Sequence, residues 1–61
     1  MKYYVWLDAA EQPVSKAWSY EDETERMAAE QDPPCAGAVL HAGTREQLIE
    51  RYSLSARDFI D

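Results

Sequence analysis

The sequence predicts a single α+β domain of order ββαβα: a three-stranded antiparallel sheet in the order 2-1-3, two helices and a short C-terminal helical turn. Three observations carry that prediction. The chain is 61 residues long, which leaves room for one core over residues 1–61 and no second domain. Its apolar residues alternate with period two near the N-terminus and recur at helical spacing further on. Ser19/Asp22, Thr44/Gln47 and Ser55/Asp58 each place a hydroxyl three residues ahead of a carboxyl or amide, the spacing of a helix start.

Lys2 to Asp8 is the first predicted strand, because Tyr, Val and Trp pack well on a pleated surface. Alternation puts Tyr3, Val5 and Leu7 on one face and Lys2, Tyr4 and Trp6 on the other. A polar connection, Ala9 to Gln12, leads through Pro13 into a second strand, Val14 to Ser19, whose residues Val14, Lys16 and Trp18 oppose Ser15, Ala17 and Ser19. The two form a hairpin. Ser19 then caps a helix expected from Tyr20 to Gln31, with Tyr20, Thr24, Met27, Ala28 and Gln31 as its inward stripe. Asp32-Pro33-Pro34 ends it, since proline excludes its predecessor from helical geometry.

Ala36 to Ala42 is a short apolar run between Pro34 and Gly43, which predicts a third strand. Thr44 opens a second helix reaching Tyr52, with Leu48, Ile49 and Tyr52 facing inward. Ser55 starts the last turn, and Leu54 and Phe59 flank it as a hydrophobic staple would. A crossover through the first helix returns the third strand parallel to the second, with the apolar first strand between them. If both helices cover the Tyr3, Val5 and Leu7 face, Tyr4 and Trp6 lie on an uncovered face. They are then either an aromatic contact patch or side chains covered by their long neighbours.

Composition narrows the function. Twelve acids against six Lys and Arg give a net charge of -6, a field that repels nucleic acids and anionic membranes and attracts basic surfaces. A single cysteine, Cys35, cannot form an internal disulfide, which points to a reducing compartment such as the cytoplasm. No apolar run approaches the roughly 18 residues of a membrane span, and Met1-Lys2 leads into no signal-peptide core, so the chain reads as complete. Cys35 and His41 lie six residues apart, which on an extended strand is about 20 Å and far beyond proton-transfer reach. Zinc, calcium and phosphate sites all lack their ligand spacing, so neither an enzyme nor a cofactor is expected.

The location of the charge is the distinctive feature. Eight acids between Asp8 and Asp32 against Lys16 and Arg26 give 2 − 8 = −6, equal to the charge of the whole chain. On the first helix Glu21, Asp22, Glu23, Glu25, Glu30 and the following Asp32 surround every side but the inward stripe. Acids near a helix N-terminus gain about 0.3–1 kcal/mol each from the macrodipole and keep a small domain in solution. That explanation does not reach Glu30 and Asp32, which sit at the wrong pole, nor the like charges four apart. A binding partner is the competing explanation.

In size, charge and the Glu21 to Asp32 segment, the chain resembles anti-CRISPR inhibitors of the DNA-mimic kind, small acidic phage proteins. The resemblance implies a non-enzymatic inhibitor in which Glu21, Asp22, Glu23, Glu25, Glu30 and Asp32 stand in for phosphates. Its partner would be a basic nucleic-acid-binding protein or complex of a bacterial defence system. A second likeness lies in Gly37 to Tyr52, which resembles the strand-turn-helix of HicB-type antitoxins and implies a basic RNase toxin as partner. In that family the motif follows three strands without an intervening helix. The third alternative is an accessory module that docks through Tyr4 and Trp6. A monomer or a weak homodimer is compatible with each.

Overall fold

The structure, a computed structural model, describes residues 1–60. Among them are strands β1 (Lys2–Leu7), β2 (Ala17–Tyr20), β3 (Val39–Thr44) and β4 (Phe59–Ile60), helices α1 (Glu23–Glu30) and α2 (Arg45–Tyr52), and a 3-10 turn at Ala56–Asp58. The class is α+β. The sheet order is β3-β1-β2-β4, with β1 antiparallel to both neighbours and β4 parallel to β2. The expected 2-1-3 arrangement is therefore present inside a larger sheet, and an all-antiparallel three-stranded sheet is not. Ala17 pairs with Phe59 and Trp18 with Ile60, so the chain that leaves the C-terminal turn adds a short fourth strand.

The hairpin is less regular than its alternation predicts. Asp8 accepts the Ala10 and Gln12 N–H groups through Oδ1 (2.9 and 3.0 Å), and Glu11 takes a left-handed φ of 61°. Pro13 makes an isolated bridge to Leu7 and Val14 N–H bonds the Trp6 carbonyl (2.9 Å). The Ser15 hydroxyl then receives the Trp6 N–H (3.3 Å). A side chain replaces the backbone as partner there, and β2 begins at Ala17 instead of Val14.

One core fills the face bearing Tyr3, Val5 and Leu7, with Ala17, Leu48 and Leu54 buried against them and Ile49, Tyr52 and Phe59 packed alongside. Val5, Leu7 and Leu48 are almost wholly enclosed. Burying such side chains stabilises the fold by about 1.5–3 kcal/mol each. Tyr3 and Phe59 pack edge-to-face with ring centroids 5.0 Å apart, which fastens β4 to β1 across the core.

α2 supplies Leu48 to this core, and its start follows the sequence closely. Thr44 accepts the Gln47 N–H (3.2 Å) and Gln47 returns its Oε1 to the Thr44 N–H (3.0 Å), a complete capping box. Gly43 precedes it because a Cβ there would lie 2.9 Å from Gln47 Oε1. Ser53, at φ 57°, ends the helix and turns Leu54 into the core. The last turn is 3-10 rather than α, with Asp58 Oδ2 accepting the Ser55 N–H and hydroxyl (2.8 and 3.2 Å).

α1 departs most from expectation. Tyr20 stays in β2, opposite Lys2, so Asp22 and not Ser19 becomes the N-cap and accepts the Glu25 N–H (3.1 Å). None of the eight described residues of α1 is buried, and Met27, placed in the expected inward stripe, is 55% exposed. Arg26 and Ala29 are the half-covered residues instead. The two helices do not share a face either. α2 lies on the Tyr3/Val5/Leu7 side, whereas α1 lies beside β2 and borders the side that bears Tyr4 and Trp6.

Candidate partner-binding surface

Lys2, Tyr4 and Trp6 lie opposite Tyr20, Trp18 and, on β3, Leu40, so β1, β2 and β3 give this face a line of cross-strand aromatic neighbours. Tyr4 and Tyr20 have ring centroids 6.1 Å apart. Of the two alternatives left open for Tyr4 and Trp6, the exposed patch is not the one seen. Trp6 and Tyr20 are each only 7% exposed, Tyr4 is half-buried, and the aromatic that reaches solvent is Trp18, at 46%. α1 stands on this face rather than the other, beside β2.

Between α1 and the sheet runs a groove of about 610 Å³. Tyr4, Trp6 and Trp18 line its sheet side, Ala28 and Ala29 its helix side, and Glu25, Asp32 and Pro34 also border it. The small alanines leave the space that a longer side chain would fill. Alternation in the sequence located Trp18 opposite Ser19 and Ala17 but did not mark it as a contact residue. The signal was the apolar pair Ala28-Ala29 on a helix with no core to pack against, and it depends on knowing which face α1 takes.

The six acids from Glu21 to Asp32 are brought onto one surface segment, and their local duties differ. Asp22 caps the helix, and Glu25 Oε1 accepts the Glu21 N–H (3.1 Å). Arg26 lies between Glu23 and Glu30, with N···O distances of 3.1 and 3.3 Å. The hydrogen bond that Arg26 donates to Glu23, and then the charges of Glu23 and Glu30, hold the Arg26 guanidinium above its ordinary value, so it stays charged. Both partner carboxylates are half or more exposed, and such pairs contribute little to stability. Glu21 and Asp32 have no side-chain partner among the described residues. Six carboxylates and one guanidinium leave 1 − 6 = −5 on this segment.

Elsewhere, Cys35 is exposed in the connection before β3, and His41 Nδ1 lies 2.8 Å from the Tyr52 hydroxyl, an arrangement that ties β3 to α2. Among the described residues no three His, Cys, Asp or Glu side chains are grouped to hold a metal ion. No helix among them is long and apolar enough to cross a membrane. Gly37 to Tyr52, the segment that resembles an antitoxin motif, forms β3 running directly into α2, with α1 ahead of it in the chain.

Fold and surface together define a small α+β domain whose distinguishing feature is an acidic helix beside an aromatic groove. Comparison with protein-family models, with curated proteins and with solved structures finds no match to the chain.

Proposed function

We propose that this chain is a non-enzymatic acidic binding protein, an inhibitor in the manner of anti-CRISPR proteins. In this reading α1 and its groove are set against a basic surface that otherwise holds a nucleic-acid backbone. The supporting observation is that α1 buries no side chain yet its segment carries a net −5 from Glu21 to Asp32. An eight-residue helix is too short to persist on propensity alone. A helix that gives nothing to the core is free to have its composition set by what it meets outside.

The groove adds a second element of recognition. A lysine or arginine entering it would lay its apolar stem along Trp18 and Tyr4 and bring its charge toward Glu25 and Asp32. An aromatic centre with a charged rim is a common interface composition. The negative field would speed encounter at low salt and do so less as salt rises.

The test is capture from nuclease-treated bacterial lysate at low and high salt, followed by affinity measurement on the captured nucleic-acid-binding protein. Joint replacement Glu21→Gln, Glu23→Gln and Glu25→Gln is expected to weaken binding at least tenfold and flatten its salt dependence. The captured protein should also lose nucleic-acid binding when wild-type chain is added. Unchanged affinity and salt slope in the triple variant would end the mimicry proposal. The exposure of Trp18 favours one second reading, docking as an accessory module through the groove. There Trp18→Ala abolishes binding, and salt and the Gln variants leave it unaltered.

A further inference from the structure

β3 forms one edge of the sheet, and its polar backbone groups can be assigned to sides. Trp6 turns both its N–H and its carbonyl toward the β2 arm, where they meet Ser15 Oγ and the Val14 N–H. Alternation then turns Tyr3, Val5 and Leu7 toward β3, and their partners Gly43, His41 and Val39 toward β1. Leu40, Ala42 and Thr44 consequently point theirs outward. The Thr44 N–H is taken by Gln47 Oε1 (3.0 Å). On that alternation the N–H and carbonyl groups of Leu40 and Ala42 face away from β1, and no turn, loop or side-chain bond among the described residues takes them.

Exposed edges are normally guarded by a lysine, a proline or a bulge. This one has none of these: from Cys35 to Thr44 there is neither a charged residue nor a proline, and Val39 is 56% exposed. A chain of net charge −6 repels its own copies through most of its surface. The uncharged β3 edge is where a like-charged copy can come close.

We propose that β3 pairs antiparallel with β3 of a second copy about a two-fold axis at His41, continuing the sheet from one chain into the other. In that register Leu40 lies opposite Ala42 of the second copy and exchanges both hydrogen bonds with it. The symmetric pair does the same, so every free group on Leu40 and Ala42 is used. Neighbouring two-fold registers fail on occupied donors. Pairing Leu40 with Leu40 calls on the Ala38 N–H, which is already bonded to the Cys35 carbonyl (3.3 Å). Pairing Ala42 with Ala42 calls on the Thr44 N–H, held by Gln47. Self-pairing of this kind is isologous and closes as a dimer. It shares no residue with the α1 surface, so either can fail without the other.

Sedimentation of the wild-type chain from micromolar to millimolar concentration is expected to show reversible monomer–dimer exchange. Ala42→Pro removes an outward N–H and no bond within the chain, so it should keep the circular dichroism spectrum and weaken association roughly tenfold or more. Register is read by cysteine placement in a Cys35→Ser background. Residues opposite one another in a non-hydrogen-bonded pair have Cα atoms about 4.5 Å apart, within disulfide span, so His41→Cys should cross-link on oxidation and Ala42→Cys should not. A wild-type chain that stays monomeric at millimolar concentration overturns the proposal. So does a dimer insensitive to Ala42→Pro, or one that binds only a peptide strand from another protein.

Discussion

Leu48 is the one buried side chain of α2 and is 2% exposed, enclosed with Val5 and Leu7. Leu48→Ala removes its contacts and leaves a cavity, which typically costs about 2–5 kcal/mol. A chain of this length has a total stability of about 3–9 kcal/mol, so the variant should lose a large share of it. Urea unfolding followed by circular dichroism measures the loss. Met27→Ala, at a side chain 55% exposed, should change stability by less than about 0.5 kcal/mol. The contrast is informative because the sequence marked both residues as inward-facing. Leu48 sits behind an unambiguous capping box and beside Ile49, whereas Met27 belongs to a stripe of mixed polarity that no neighbouring element fills. Trp6 and Trp18 teach the same lesson. Alternation gave each its correct face, but which of them stays exposed depends on neighbours distant in the chain, and local spacing does not contain that information.

At the scale of elements, α1 is the segment whose stability is most separable from the rest. Its caps and its Glu23–Arg26–Glu30 pairs are local, and it places no residue in the core. Asp22→Ala removes the acceptor for the Glu25 N–H and should cost about 1 kcal/mol. Because the cost falls on a segment outside the core, it should appear as roughly fivefold faster hydrogen exchange in α1. Asp22→Asn, which keeps an acceptor, should recover most of the protection. Exchange in α1 as slow as that of the core amides would mean that α1 unfolds with the core. The Ser19/Asp22 spacing predicts an earlier start for this helix, and pairing of Tyr20 with Lys2 moves the cap to Asp22. β4 was hidden for a related reason: Phe59 and Ile60 are too short a run to read as a strand, and their partner β2 is far away in sequence. α2, β1 and the placing of β1 between β2 and β3 were legible, since caps and a strongly apolar central strand need no distant partner to specify them.

For the molecule as a whole, the uneven charge sets how stability responds to salt. Two effects oppose each other. The Arg26 pairs with Glu23 and Glu30 are weakened by screening, and so is the mutual repulsion of the carboxylates from Glu21 to Asp32. The attractive pairs are exposed and single-armed, worth little each, while one guanidinium faces six carboxylates and the chain as a whole carries −6. Repulsion therefore wins. Raising ionic strength from about 0.01 M to about 1 M shortens the screening length from about 30 Å to about 3 Å, less than the spacing of most of these acids. The thermal midpoint should rise by a few degrees, since about 1 kcal/mol corresponds to about 4–8 °C in a domain this small. Neutralising Glu21, Glu23 and Glu25 to Gln should give a similar rise at low salt and remove most of the salt response. A midpoint that falls with salt in the wild-type chain would show that the Arg26 pairs outweigh the repulsion. The acids of α1 would then be a stabilising network and not a surface held ready, at a cost, for a basic partner.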